Sequence, residues 1–193
     1  MVALILSFEV IFHGPFRVAT GNAKPGFDDS VDVDNLLPAS SLKGLMRHSA
    51  HRFFPDATKY VFGDKGVPSP WAWTNAVFDT DPLIKPRVRI EINGTTASDQ
   101  ALVSQQEAWA STARFEIEQM LPLAGGNLSK HHHQLVLETA ARATHWLGAD
   151  RRRGLGWVTI QPVNGLDIDE LVANATSQPR LGQIDEMSHG RQQ

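Results

Sequence analysis

From Leu4 to Phe12 every even position is apolar (Leu4, Leu6, Phe8, Val10, Phe12), while Ser7 and Glu9 fall between them. A period of two predicts a strand with one buried face, which His13-Gly14-Pro15 ends. Residues 20–37 are rich in Gly, Asn, Asp and Pro and predict a loop. Behind Pro38 the period changes to that of a helix, with Ser40 or Ser41 placed to cap it. Leu42, Leu45, Met46, Ala50, Phe53 and Phe54 form one apolar stripe. Lys43, Arg47 and His51 follow each other at intervals of four and form a second, basic stripe. Pro55 is placed to close this helix.

Further along, Trp71, Trp73, Ala76, Val77 and Phe78 predict a strand over 69–79. Val88, Ile90 and Ile92 alternate with Arg87, Arg89 and Glu91 and predict another over 87–92. Residues 94–106 are polar and predict a loop. Ala113, Phe115 and Ile117 alternate with Arg114, Glu116 and Glu118, a third clear strand, and 123–129 predict a loop around Gly125-Gly126. Val136, Ala140, Ala143 and Leu147 stand at helical spacing, so a helix is expected over 131–147 with Gly148 as its C-terminal cap. A last strand is expected over 155–163, then a short helix over 168–175 and a mobile tail over 178–193.

The order strand–helix–strand–strand–helix–strand predicts an α+β fold, a ferredoxin-like (RRM-like) β-α-β-β-α-β core with an inserted hairpin. One domain is expected over 1–165, followed by a short helix and tail over 166–193. At 193 residues and 41% hydrophobic content, one good core is affordable and a second full domain is not expected. No apolar run approaches the ~20 residues of a membrane helix. The absence of cysteine removes disulfides and thiolate metal sites. A cytoplasmic protein fits best, with no membrane partner.

The net charge of −3 argues against a freestanding nucleic-acid binder, which is usually basic. The charge is uneven, however. Lys43, Arg47 and Arg52 lie together, as do Arg151, Arg152 and Arg153, while acids gather over 28–34 and in the tail. A basic groove on a mildly acidic body is compatible with this. Gly148, Gly154 and Gly156 surround the three arginines. Glycine permits a close backbone approach and guanidinium groups bind phosphate bidentately. The bland reading is a glycine-capped helix with a solvated basic loop. In the segment LPASSLKGLMR, the helix N-terminus and the Ser40 and Ser41 hydroxyls could face a phosphate, backed by Lys43 and Arg47. The bland reading there is an ordinary amphipathic helix. His131–His133 point in different directions and suit a polar helix start or an RNA contact better than a metal. Trp71, Trp73 and Trp157 suit the core better than base stacking, and His13 is more simply a structural residue.

Gly14-Pro15, LPASSLKGLMR, VFGD at 61–64 and GADRRRGLGWV at 148–158, in this order, resemble the RAMP superfamily over roughly residues 2–163. The helix segment is similar to that family's Pro-Gly-Ser-Ser-Leu-Lys-Gly-x-x-Arg signature, with Ala39 in place of glycine. The resemblance implies an RNA-binding subunit of a type III CRISPR effector. Its partners would be guide RNA, target RNA, other effector subunits and copies of itself. It implies RNA contacts from Ser40, Ser41, Lys43, Arg47, Arg151, Arg152, Arg153, Gly154 and Gly156. It also implies cleavage of target RNA by attack of the 2′-hydroxyl on the adjacent phosphate. An acidic residue in the loop after the first strand would carry that step. Asp32 is the best match, as catalytic residue and as ligand of a divalent metal (Mg2+ or Mn2+); Asp28, Asp29 and Asp34 are rivals. Three other readings stay open: a non-catalytic structural or capping subunit, a metal-independent guide-processing ribonuclease using His13 or another histidine, and a ferredoxin-like module unrelated to RNA.

Overall fold

The computed structural model describes residues 4–19, 25–93, 96–123, 128–148, 150 and 153–166, with the side chains of 89–101 left aside. The expected helix over 168–175, the tail, Gly125-Gly126, and Arg151 and Arg152 lie outside the described residues. The elements are β1 (Ile5–Phe12), α1 (Ala39–Phe53), α2 (Pro55–Phe62), β2 (Trp71–Trp73), β3 (Val77–Phe78), β4 (Leu83–Asn93), β5 (Thr96–Trp109), β6 (Thr112–Gln119), α3 (Lys130–Arg142) and β7 (Val158–Pro162).

The main sheet runs β2-β6-β1-β7, with β3 also paired to β6, and its pairings are antiparallel. The first strand thus lies between the third and fourth strands of the core, and the second pairs on the far side of the third. This is the ferredoxin-like arrangement of two interleaved β-α-β units. The inserted hairpin is β4-β5, a separate two-stranded sheet. Among the described residues no helix is long and apolar enough to cross a membrane.

Period two in β1 and β6 works as the sequence requires. Leu6, Phe8, Val10 and Phe12 are buried, as are Ala113, Phe115 and Ile117, with Val158 and Ile160 from β7. Phe8 and Phe115 are paired in register and stack at 5.2 Å. Leu42, Met46 and Ala50 of α1, and Leu135, Val136, Ala140 and Ala141 of α3, complete the core from the helix layer. The opposite sheet face carries Glu9, Arg114, Glu116 and Glu118. It has no row of aromatics, so the RRM mode of stacking bases across the sheet has no support here.

Several expectations are corrected. Neither Ser40 nor Ser41 caps α1. Pro38 takes that position in an extended conformation, and the Ala39 N–H donates to Asn75 Oδ1 at 2.9 Å. Pro55 does not only close α1; it opens α2, as proline at a first helical position can, because the N–H it lacks would be unpaired there. The strand expected over 69–79 is broken into β2 and β3, and the backbone N–H of Thr74 pairs with Glu116 across the break. The polar stretch 94–106 is mostly the second arm of the hairpin, not a loop, because backbone pairing with β4 supplies what side-chain pattern does not. The helix expected to reach Leu147 stops at Arg142. The Thr144 hydroxyl donates to Ala140 O, and is paired with Ser49 Oγ, both at 2.8 Å, and the chain then turns into a bridge with Trp157. Gly148 is therefore not a helix cap.

Candidate functional site

Four segments meet where β1 ends and β7 begins. The Gly14-Pro15 turn lies against the glycine loop, since Gly156 N–H donates to Pro15 O at 2.7 Å. Phe16 forms a bridge to Ala108 on the hairpin, and Arg17 forms one to Gly148. The acidic loop runs beside β5: Asp28 N–H donates to Ser104 O, Ser104 N–H donates back to the Asp28 carboxylate, both at 2.8 Å, and Gln106 N–H donates to Asp29 O.

Arg17 ties these pieces together. Its side chain is 4% exposed; Nη2 donates to Asp150 Oδ2 at 2.5 Å, and Nε stands 3.4 Å from Asp29 Oδ2. Asp150 holds the loop beyond it, accepting at its carbonyl from Arg153 N–H at 2.7 Å, with its carboxylate 3.5 Å from the Arg153 guanidinium. Arg87 from the hairpin reaches the Arg153 carbonyl at 3.5 Å and pairs with Glu107 at 3.1 Å.

The glycines divide by role. A Cβ on Gly148 would stand 1.9 Å from Arg17 O, and one on Gly156 would stand 1.9 Å from Leu147 O; both residues have positive φ. These two serve close packing of the chain on itself. Gly154, also at positive φ, meets nothing within 4 Å and stands exposed beside Arg153. Of the glycines expected to admit a phosphate chain, Gly154 is the one open to it.

The second basic feature is separate. Lys43 lies half-buried with its ammonium 5.0 Å from the Trp73 ring centre. Burial lowers its pKa below the ordinary lysine value and the neighbouring Arg47 lowers it further. Arg47 is exposed and pairs with Asp64 at 3.3 Å. Asp64 is held below the usual carboxylate range mainly by a hydrogen bond from the Lys65 backbone, with the charge of Arg47 adding to it. A groove of about 440 Å3 runs beside this pair, lined by Gly44, Arg47, His48, His51 and Lys59 among others. A Cβ on Gly44 would meet nothing within 4 Å. The groove takes its described lining from α1, α2 and Asp64, and none from the glycine–arginine loop. Ser40 is exposed and Ser41 half-buried on the first turn of α1.

The four candidate aspartates are not equivalent, and Asp34 is exposed. Asp28 is spent on Ser104 and Asp29 on Arg17. Asp32 is exposed, and its carboxylate accepts from Asp34 N–H at 3.1 Å within its own turn. Among the described residues no three His, Asp or Glu side chains converge as a metal-holding group. His131–His133 split as well. His132 closes a capping box with Ser129, and His133 is buried, accepting from Trp71 Nε1 at 3.0 Å.

A family model described as the RAMP superfamily matches residues 11–159. The chain belongs to the RAMP superfamily. A RAMP assignment agrees with the ferredoxin-like sheet order. Solved structures carry the same fold. A chain in a cryo-EM structure of the type III-B Cmr-beta bound to cognate target RNA superposes with a TM-score of 0.63 at 18% identity, over 82% of this chain and 59% of that one. This RAMP chain thus spans about three-fifths of that relative's length. A chain in the apo state of Cmr-beta gives a TM-score of 0.60 at 13% identity, covering 83% of this chain and 97% of that one. A sequence search of curated proteins finds no match.

Sequence reasoning missed Arg17, Asp150 and Asn75. A single arginine in a loop carries no periodic signal, and only the fold brings it to two carboxylates distant in sequence.

Proposed function

We propose that this RAMP protein is an RNA-binding subunit of a type III CRISPR effector that holds guide RNA by its backbone and cuts target RNA through Asp32. The observation that carries the reading is the glycine–arginine loop. Its base is fixed by Arg17, Gly148 and Gly156, while Gly154 and Arg153 stand free of the core. A loop with a fixed base and the exposed guanidinium of Arg153 binds phosphate at reduced ordering cost. Likeness to chains of Cmr-beta supports the same class of assembly. Further subunits and copies of this chain are the neighbours that the proposed assembly would give it. The basic face of α1, with Lys43 and Arg47 beside an open groove, serves as a second backbone contact, and Ser40 and Ser41 stand at its head.

Asp32 is exposed, as is Asp34, whereas Asp28 and Asp29 bind Ser104 and Arg17. Near a scissile phosphate Asp32 accepts the proton of the attacking 2′-hydroxyl; the 2′-oxygen bonds to phosphorus, the bond from phosphorus to the 5′-oxygen breaks, and that oxygen leaves with a proton from water. A divalent cation would be held by Asp32 jointly with RNA phosphates, the usual share for Mg2+, and would supply charge stabilisation at the phosphate. The described residues fit such a shared ion and not a cage built by the protein alone.

The test is binding of the full chain to single-stranded RNA across a salt series. Replacing Arg151, Arg152 and Arg153 by Ala should weaken binding for all sequences and reduce the log–log salt slope by roughly 0.7 per lost contact. An unchanged slope removes the loop as the binding site. No salt-dependent RNA binding by the wild type removes the reading.

A further inference from the structure

We infer that Trp146 and Trp157 form a stacking platform for unpaired bases of single-stranded RNA at the neck of the glycine–arginine loop. The inference rests on the RNA-binding reading above and adds a contact that no phosphate-binding residue supplies.

The geometry begins with the backbone. Trp146 and Trp157 are partners in an antiparallel bridge. Leu147 N–H donates to Gly156 O at 2.7 Å on one side of the pair, and Val158 N–H donates to His145 O at 3.0 Å on the other. Those flanking bonds make it a non-hydrogen-bonded pair, the type whose side chains stand closest on one face, with Cβ atoms typically about 4.5–5.5 Å apart. Alternation then decides which face. Leu147, Gly156 and Val158 are buried, so both indoles point away from the core. Trp146 is 47% exposed and Trp157 60% exposed.

A single exposed tryptophan needs no explanation, but two on paired positions put two large exposed rings on one face of the neck. Imidazole rings flank the pair on both sides. The His13 ring lies 5.6 Å from Trp157 and the His145 ring 5.9 Å from Trp146. His13 Nε2 is hydrogen-bonded to Thr159 Oγ1 at 2.8 Å, which fixes the imidazole beside the indole. An aromatic pair framed by imidazoles suits flat, polar-edged bases. The loop leaving this neck returns through Arg153, whose side chain is 55% exposed. The exposed guanidinium proposed to meet phosphate is thus four residues along the chain from Trp157.

The test uses the full chain and a single-stranded RNA of mixed sequence, with an RNA of equal length carrying abasic residues as second probe. Trp146→Ala and Trp157→Ala should each weaken binding by roughly 5- to 150-fold. The salt slope should stay unchanged, since no charge is lost. Trp146→Phe and Trp157→Phe should keep most of the affinity, which separates loss of a ring from loss of the fold. The abasic RNA should bind wild type and the Trp157→Ala variant equally. Wild-type RNA binding that both alanine variants retain would overturn the platform while leaving the RNA-binding reading intact. Alanine variants that keep RNA affinity but change the oligomeric state would overturn it too, marking the patch as a protein interface. A wild type with no RNA affinity would sink the RNA-binding reading and the platform with it.

Discussion

Arg17 and Asp150 are 133 residues apart in sequence, yet their side chains meet at 2.5 Å in a part-buried contact. The same guanidinium faces Asp29, so one side chain joins the acidic loop to the glycine–arginine loop. Removing it leaves two carboxylates facing each other's charge with little water. Breaking a buried pair from one side costs about 3–5 kcal/mol. Here the carboxylates keep 23% and 21% exposure, which places Arg17→Met near the lower end, about 3 kcal/mol. Arg17→Lys should recover little, because an ammonium lacks the planar fork that reaches two acids. Denaturant titration of the three proteins checks both statements; a loss under about 1 kcal/mol, the range of an exposed pair, would show that the contact is only superficial.

Substitution of the glycines should rank them by what they touch. Alanine at Gly148 or Gly156 drives a Cβ to 1.9 Å from a backbone carbonyl, so the loop base must open. Alanine at Gly154 meets open space and bears mainly the left-handed backbone penalty, about 1–2 kcal/mol. Thermal melts should therefore show Gly154→Ala mildly destabilised and the other two severely so. Equal effects at all three positions would contradict this division.

What could be read from the chain and what could not follows from this contrast. Period two in β1 and β6 and the apolar stripe of α1 each report one buried face, and each element formed where its pattern placed it. The arm over 96–109 carries no such pattern on a separate hairpin, so its pairing was invisible. The end of α3 was missed because Ala143 and Leu147 continue a helical spacing past Arg142, where the helix has already ended. The arginine and glycine loop was visible as composition. That Gly148 and Gly156 answer to Arg17 and Leu147 is a matter of three dimensions. Trp146 was hidden for the same reason as the end of α3, since the helix expected over 131–147 included it.

Lys43 offers a pH test. Burial and Arg47 lower its pKa below the ordinary 10.5. A base with a depressed folded-state pKa binds fewer protons folded than unfolded. Stability should therefore rise with pH between the depressed value and 10.5, and the charge costs stability at neutral pH. Lys43→Met keeps the stem and removes the charge. It loses the cation–π contact with Trp73, about 0.5–1 kcal/mol at an exposed site, against relief of that cost. Its melting temperature should stay within about 4 °C of wild type. The alkaline rise should flatten, and RNA retention should fall. A flattened rise with unchanged RNA retention would take Lys43 out of the binding surface.

Asp32 should be needed for cutting and dispensable for folding. Its carboxylate is exposed and bonds to Asp34 N–H within its own turn, a contact Asn reproduces. Asp32→Asn should thus leave the melting temperature unchanged. Asp28→Ala and Asp29→Ala should each lower it, through loss of the Ser104 backbone contact and of the Arg17 pair. A carboxylate repels phosphate, so RNA affinity should hold or rise in Asp32→Asn. In an assembled effector, target cleavage should fall by ~100-fold or more, the usual worth of a general base, and the residual rate should lose its response to magnesium. Asp34→Ala is the companion control, because Asp34 is exposed in the same turn. If Asp34→Ala abolishes cutting and Asp32→Asn does not, the catalytic carboxylate lies two residues further on. If every aspartate variant cuts like wild type, or wild type never cuts, the chain holds RNA for another subunit to process, and the freedom of Asp32 is only that of a solvated loop.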